Sequence, residues 1–290
     1  MKVIVTGGAG FIGTNLVKRL LNDGHEVVVL DNFSTGTLAN KVEDVTYLFY
    51  PLESSILLEA FLESQKIHLS SFDVVFHLAA LARIQPSFEK PQEYFNANAE
   101  GTMNIADACR KYNIPIIYAG TSSHHSGKFK NPYTFTKAIG EEVLHLYREH
   151  FQLKVSTARF YNVYGPHHLR EGGYSTLIGR WEGLLENNEP VKIYGDGSKR
   201  RDFTHVYDIV DALILIWEKQ AWGHIFELGR GKNYSVNEIA ELFEANDIIY
   251  EDNKPGEAQN TLCESQLARE LLGWDPKLDI SDYINEWKNK

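Results

Sequence analysis

Near the start of the chain stands Gly7-Gly8-Ala9-Gly10-Phe11-Ile12-Gly13, directly after the apolar, β-branched run Lys2–Thr6 and directly before Phe11–Asn22, whose apolar spacing is helical. It reads as both Gly8-x-Gly10-x-x-Gly13 and Gly7-x-x-Gly10-x-x-Gly13. A strand that turns through glycines straight into a helix brings unpaired helix N–H groups and a positive dipole end against bare backbone. That geometry suits a pyrophosphate. A plain tight turn also uses glycine, but the strand before and the helix after single out the dinucleotide reading.

The rest of the chain repeats the same unit. Glu26–Asp31, Phe72–Leu78, Ile114–Ala119 and Leu153–Phe160 read as buried strands, with Ala99–Lys111 and Tyr133–His150 as amphipathic helices between them. Alternation of this kind predicts an α/β fold, a Rossmann-type doubly wound parallel sheet with helices on both faces. After Gly165 the texture changes. His167–Gly173 reads as a loop, Leu177–Glu186 as a helix, Val191–Tyr194 as a strand and Gly195-Asp196-Gly197 as a turn. Asp208–Lys219 returns to helix and His224–Leu228 to strand, and Val236–Glu244 and Ser265–Leu272 read as small helices. Residues 1–165 are expected to form the dinucleotide-binding domain, which the chain re-enters at about 203–230. Residues 166–202 and 231–290 are expected to form a smaller C-terminal substrate lobe.

Composition removes several function classes. A formal charge of −10 disfavours nucleic acid and anionic membranes as partners. Cys109 and Cys263 are too few for a disulfide framework or a cysteine-only zinc site, and no metal is expected. Ile209–Trp217 is apolar but short and bordered by acids, and Met1-Lys2 leads straight into the first strand. The sequence therefore predicts a cytoplasmic protein with no membrane segment.

Two further features carry chemistry. Asp31 closes the second strand, where a carboxylate accepts hydrogen bonds from ribose hydroxyls and repels a 2′-phosphate, so NAD is expected rather than NADP. Asn32, Ser34 and Thr35 follow in a loop and either add hydrogen bonds to the cofactor or simply make a turn. Tyr133-x-x-x-Lys137 places a phenol and an ammonium on one helix face. An ammonium there is expected to lower the phenol's pKa and make it a usable acid/base. Thr121-Ser122-Ser123 follows the fourth expected strand, at the sheet edge where ligands bind, and a hydroxyl there can bridge a substrate alcohol to Tyr133.

Taken with His77-Leu78-Ala79-Ala80, Arg159-Phe160-Tyr161-Asn162-Val163-Tyr164-Gly165-Pro166 and Arg201-Asp202-Phe203-Thr204-His205-Val206, these residues resemble the extended short-chain dehydrogenase/reductases. More narrowly, they are similar to the NAD-dependent nucleotide-sugar epimerase/dehydratase group, in order and over nearly the whole chain. The resemblance implies a seven-stranded dinucleotide-binding sheet, NAD retained through turnover, a nucleotide-sugar substrate and commonly a homodimer. It implies a cofactor site of Gly7, Gly10, Phe11, Ile12, Gly13, Asp31, Asn32, Ser34, Thr35, Leu78, Ala79, Ala80, Asn98, Tyr133, Lys137 and Tyr161. It assigns catalysis to Thr121, Ser122, Tyr133 and Lys137. It assigns the nucleotide sugar to Asn162, Leu177, Tyr194, Arg201, Lys254 and Thr261.

In such enzymes hydride leaves carbon 4 of the sugar and the tyrosine takes the hydroxyl proton. Dehydratase relatives place an Asp-Glu pair after the threonine, where this chain has Ser122-Ser123. Without that proton carrier, 4-epimerisation through a transient 4-keto sugar is the expected outcome. A 4,6-dehydratase, a keto-sugar reductase and a non-catalytic dinucleotide sensor are the competing readings. Lys254 stands where the family carries arginine, which loses a bidentate grip on phosphate. Thr261 stands where relatives restricted to plain hexoses carry tyrosine, which leaves room for a 2-acetamido group. His124-His125 and His167-His168 are expected to be loop histidines without chemistry, and His77 a satisfied buried one. The segment from Thr121 to Tyr133 is shorter than the family's usual loop.

Overall fold

The computed structural model describes residues 1–54 and 56–289. Its centre is a seven-stranded sheet made of β1 (Lys2–Thr6), β2 (Glu26–Asp31), β3 (Thr46–Phe49), β4 (Val74–His77), β5 (Ile116–Thr121), β6 (Val155–Phe160) and β7 (Ile225–Leu228). The spatial order is β7-β6-β5-β4-β1-β2-β3 and every pairing is parallel. Val3, Ile4 and Val5 are fully buried, which is why β1 reads as an unbroken apolar run.

Helices cover both faces. On one, α1 (Phe11–Asn22) and α4 (Val206–Glu218) pack Leu16, Leu20, Ile209 and Leu213 onto Val5, Phe76 and Phe226. On the other, α2 (Gly101–Tyr112) and α3 (Pro132–Phe151) bring Ile105, Cys109, Leu144 and Tyr147 onto Ile4, Val75 and Ile116. The pairings Val3↔Val74 and Lys2↔Glu26 put β1 between β2 and β4, so the chain reverses direction across the sheet beside β1. The crevice at that reversal, outside the carboxyl ends of the strands, is the ligand position of this architecture. It collects the turn after β1, Asp31, the segment after His77, Thr121 and the end of β6.

A third core belongs to the lobe. Trp181, Val191, Ile193, Phe203, Ile239, Phe243, Ile280 and Ile284 pack around Tyr164. Val191–Tyr194 pairs with Ile248–Glu251, and Arg200–Asp202 pairs with Asn233–Ser235. Asp208 of α4 accepts from the amides of Lys277 and Leu278 at 3.1 Å each and so ties the lobe's final segment to the sheet's helical cover.

Several boundaries differ from expectation. The expected strand Phe72–Leu78 is trimmed to Val74–His77, and Ile114–Ala119 slides to Ile116–Thr121. Thr46–Phe49 and the helix Ile280–Lys288 are additional elements. The first is a short edge strand, half-exposed along its length. The second keeps helical spacing through Ile280, Tyr283, Ile284 and Trp287, packed on the lobe core.

Candidate active site

The glycine turn fits the diphosphate of a dinucleotide. Gly7 has φ of +71°. A Cβ on Gly13 would lie 2.7 Å from the Gly8 Cα and 2.8 Å from the Gly7 carbonyl carbon, and closer still to the Gly7 oxygen. Both positions therefore require glycine. Helix α1 begins after Gly10 with no side-chain cap, and its first backbone bond is Thr14 N–H to Gly10 O at 2.9 Å. The donors of Phe11, Ile12 and Gly13 stand ready for an anion.

Asp31 is buried, and its two oxygens accept from Ala9 N at 2.9 Å and Phe33 N at 2.7 Å. The carboxylate thus shapes the glycine turn and keeps further lone pairs able to accept. Burial lifts its pKa despite those two bonds. The Asn32 Oδ1 accepts from Ser34 N at 3.0 Å, so this segment is a local turn.

Beneath the crevice runs a closed chain of neutral hydrogen bonds. The Thr102 hydroxyl donates to Asn98 O at 2.6 Å, so His77 Nε2 donates to Thr102 Oγ1 at 3.0 Å. His77 Nδ1 then accepts from Thr6 Oγ1 at 2.8 Å, and Thr6 accepts from Ala79 N at 3.1 Å. Burial drops the His77 pKa to about 3, so it is a neutral brace that fixes the backbone at Ala79. Asn98 braces the next stretch of backbone in the same way. It accepts from Leu81 N at 2.8 Å and donates to Leu81 O and Thr136 Oγ1 at 3.1 Å each. Its amide is spent on the protein, so any influence on a cofactor passes through the backbone it holds.

Helix α3 carries the reactive pair. Asn131 caps it, accepting from Thr134 N at 2.8 Å, and Pro132 occupies its first position. Thr121 is buried at the end of β5, and it pulls down the pKa of Tyr133 at the start of α3. Lys137, one turn on, is buried with its ammonium 4.0 Å from the centroid of the Tyr118 ring. Burial pushes Lys137 down to about 7 and pushes Tyr133 above its ordinary value, against the pull of Thr121 and of Arg83's charge. This corrects the expectation that the lysine lowers the phenol. Desolvation disfavours both charged forms and is the largest influence on each.

Three groups here escaped the sequence reading. Arg83, whose charge acts on Tyr133, donates from Nε to Tyr174 O at 3.0 Å and Ser175 O at 3.2 Å. Tyr94 is fully buried, its ring 6.4 Å from that of Tyr133. Glu141, one turn beyond Lys137, is held by Arg159 at 3.1 and 2.6 Å, and Arg159 also reaches Glu227 at 3.0 Å. His125 completes that network with a 2.9 Å contact to Glu227, which makes it an anchor for the short loop after Thr121. Its ring lies 6.5 Å from that of the buried Tyr161. His168 forms a buried pair with Glu182 at 2.8 Å.

On the lobe side a small cleft of about 80 Å³ is lined by Ile84, Ser122, Ser123, Asn162, Arg201 and Thr261, among others. Asn162 donates to Asp202 O at 3.0 Å and Thr261 Oγ1 at 3.1 Å. Glu257 stands 3.6 Å from Arg201 and 3.3 Å from Lys199. Lys254 sits 3.5 Å from the centroid of the Tyr194 ring. Leu177 opens its helix and packs partly buried on the lobe core. Among the described residues no cluster of three metal-ligating side chains occurs, and no helix is long and apolar enough to cross a membrane.

A dinucleotide cradle and a Thr-Tyr-Lys set, its threonine and lysine buried and its tyrosine partly so, define an enzyme that moves a hydride and a proton at a single alcohol carbon. A family model described as NAD dependent epimerase/dehydratase matches residues 3–229. A putative UDP-glucose 4-epimerase of Methanocaldococcus jannaschii is 30% identical, over 99% of this chain and 97% of that protein. The crystal structure of a UDP-glucose 4-epimerase with UDP-glucose from Thermotoga maritima superposes with a TM-score of 0.90 at 26% identity, covering 100% of this chain and 99% of that one. A Thermus thermophilus UDP-glucose 4-epimerase in complex with NAD gives 0.88 at 28% identity, covering 99% of each. The chain belongs to the NAD-dependent epimerase/dehydratase family.

Proposed function

We propose that the protein inverts carbon 4 of a nucleotide-diphosphate hexose, a UDP-hexose or UDP-N-acetylhexosamine, through a transient 4-keto sugar. The observation that carries this is the placement of Tyr133 one helical turn from buried Lys137 and near enough to buried Thr121 for the two to interact, with Ser122-Ser123 in place of any carboxyl acid. Bound NAD supplies the hydride acceptor and donor. Gly7, Gly10, Phe11, Ile12 and Gly13 hold its diphosphate, Asp31 its adenosine ribose, and Leu78, Ala79 and Ala80 run beside it. Tyr133 Oη accepts the 4-hydroxyl proton, Thr121 Oγ1 shares that hydrogen bond, and Lys137 steadies the phenolate. Arg201 receives the substrate diphosphate, while Asn162, expected to share that role, has both amide N–H groups spent on Asp202 O and Thr261 Oγ1 and braces the cleft instead. Elimination toward carbon 6 has no proton carrier at positions 122 and 123, so the proton returns to the oxygen it left.

The protein works as a cytoplasmic homodimer in this reading. Its two cysteines are buried and unpaired. Met103, Tyr112, Leu146 and Phe151 lie exposed on α2 and α3, an apolar surface suited to a second copy. Light scattering on the purified protein tests that state. Incubation with UDP-sugars without added cofactor, followed by separation of products, tests the reaction. One 4-epimer pair reaching the same ratio from both sides is the expected result, and a demand for stoichiometric NAD(P)H would refute it.

A further inference from the structure

Around the crevice several cations face carboxylates, Lys137 and Lys254 lie over aromatic rings, and Arg83 has neither arrangement among the described residues. Arg159 holds Glu141 and Glu227, and Arg201 and Lys199 face Glu257. Arg83 has no carboxylate partner among the described residues. Its Nε bonds two carbonyl oxygens, its Nη1 donates to Ala82 O at 3.0 Å, and the ionisable groups acting on it are the phenols of Tyr133 and Tyr94. Nη2 has no hydrogen-bond partner among the described residues. A partly buried guanidinium without a counter-charge is costly, and the cost is recovered when an anion arrives. Arg83 is bent toward the lobe by Tyr174 and Ser175, and the next residue, Ile84, lines the substrate cleft.

A nucleotide sugar carries two places for negative charge. The diphosphate already has Arg201. Near Tyr133, which meets oxygen 4, the remaining place is carbon 6 of the sugar ring, and its anionic form is a carboxylate. We infer that Arg83 is a specificity residue that receives the carboxylate of a nucleotide-linked hexuronic acid, making an acidic sugar the preferred substrate of this site. This rests on the 4-epimerase reading and narrows its substrate class. Guanidinium and carboxylate match as planar forks, and in a desolvated crevice such a pair discriminates strongly against a neutral hydroxymethyl group.

The test compares UDP-glucuronic acid with UDP-glucose. The full-length protein is expected to favour the acidic sugar in kcat/KM by at least about tenfold. Arg83→Gln is expected to lower that preference by on the order of a hundredfold, chiefly through the acidic sugar. Arg83→Lys, which keeps the charge and loses the fork, is expected to lie between. Calorimetric binding of both sugars to Tyr133→Phe protein, with and without Arg83→Gln, reads the same preference without turnover. If both sugars bind in the expected order and neither turns over in the wild type, Arg83 keeps this role and the epimerase reading falls. A wild type that prefers UDP-glucose, or an Arg83→Gln change that weakens both sugars equally, overturns the inference and leaves the epimerase reading standing.

Discussion

Adding one methyl group at Gly13 should empty the cofactor site while leaving the fold in place. A Cβ there meets Gly8 Cα at 2.7 Å and the Gly7 carbonyl carbon at 2.8 Å, with the Gly7 oxygen nearer still. All three are backbone atoms, so no side chain can swing away. To reach ordinary contact the turn and α1 must separate by on the order of 1 Å. That lengthens N–H···O bonds from about 2.9 Å to nearly 4 Å, beyond hydrogen-bond range. Losing two such charge-assisted bonds costs about 3 kcal/mol, roughly a hundredfold in dinucleotide affinity. The assay is the dinucleotide released from purified Gly13→Ala protein, followed by titration of NAD into the stripped protein. Gly24→Ala is the control. Gly24 has φ of +80° but open space around it, so alanine there costs about 1 kcal/mol of fold stability and leaves cofactor content alone. Gly13→Ala protein with a wild-type complement of NAD would refute the assignment of this turn.

Tyr133→Phe should lower kcat by about a thousandfold with NAD content unchanged, as seen by turnover and cofactor release; retained turnover removes Tyr133 from the chemistry. Arg201→Lys should raise KM about tenfold with kcat nearly constant, because the fork that spans two phosphate oxygens is lost; an unchanged KM would place the diphosphate elsewhere. Burial lowers Lys137 from 10.5 to about 7, so between those pH values the folded, cofactor-free protein holds fewer protons than the unfolded chain and its stability rises with pH. Urea melts should show the wild type gaining about 2 kcal/mol relative to Lys137→Met between pH 7 and pH 9, and parallel curves would contradict a buried, discharged lysine.

Legibility followed the range of the physics. The first strand, the glycine turn and α1 were readable because each depends on neighbours within a few residues, and their bounds agree with the structure. The edge strand Thr46–Phe49 was not, because its alternation is blurred by partial exposure on both faces. His77 was readable as a satisfied buried residue, yet its tautomer needed Thr6 and Thr102, distant in sequence. Arg83 was invisible for the same reason. It sits between Ala82 and Ile84 in an otherwise apolar stretch, and its meaning comes from Tyr174 and Ser175, brought in from the lobe. Arg159 could be placed in a motif, but its acids Glu141 and Glu227 come from α3 and β7.

The rule that a lysine acidifies a neighbouring tyrosine assumes a charged lysine, and burial weakens that assumption. Among the protein's own groups alone, both lean toward neutrality, so neutral pair and phenolate–ammonium pair differ by the position of one proton. Fixed charges decide which form prevails. Glu141 favours the ammonium on Lys137, and Arg83 favours the phenolate on Tyr133. Glu141, although paired with Arg159, also disfavours the phenolate. A carboxylate seated on Arg83 cancels some of the bias toward phenolate, so an acidic sugar should bind well and react with a higher Tyr133 pKa than a neutral one. The acid limb of kcat, which reports the enzyme with substrate bound, should then lie at higher pH for UDP-glucuronic acid than for UDP-glucose. In Arg83→Gln protein both limbs should move to higher pH, since the guanidinium's pull toward the phenolate is gone for either sugar. Coincident limbs in the wild type would mean that Arg83 and the sugar's carbon 6 do not meet.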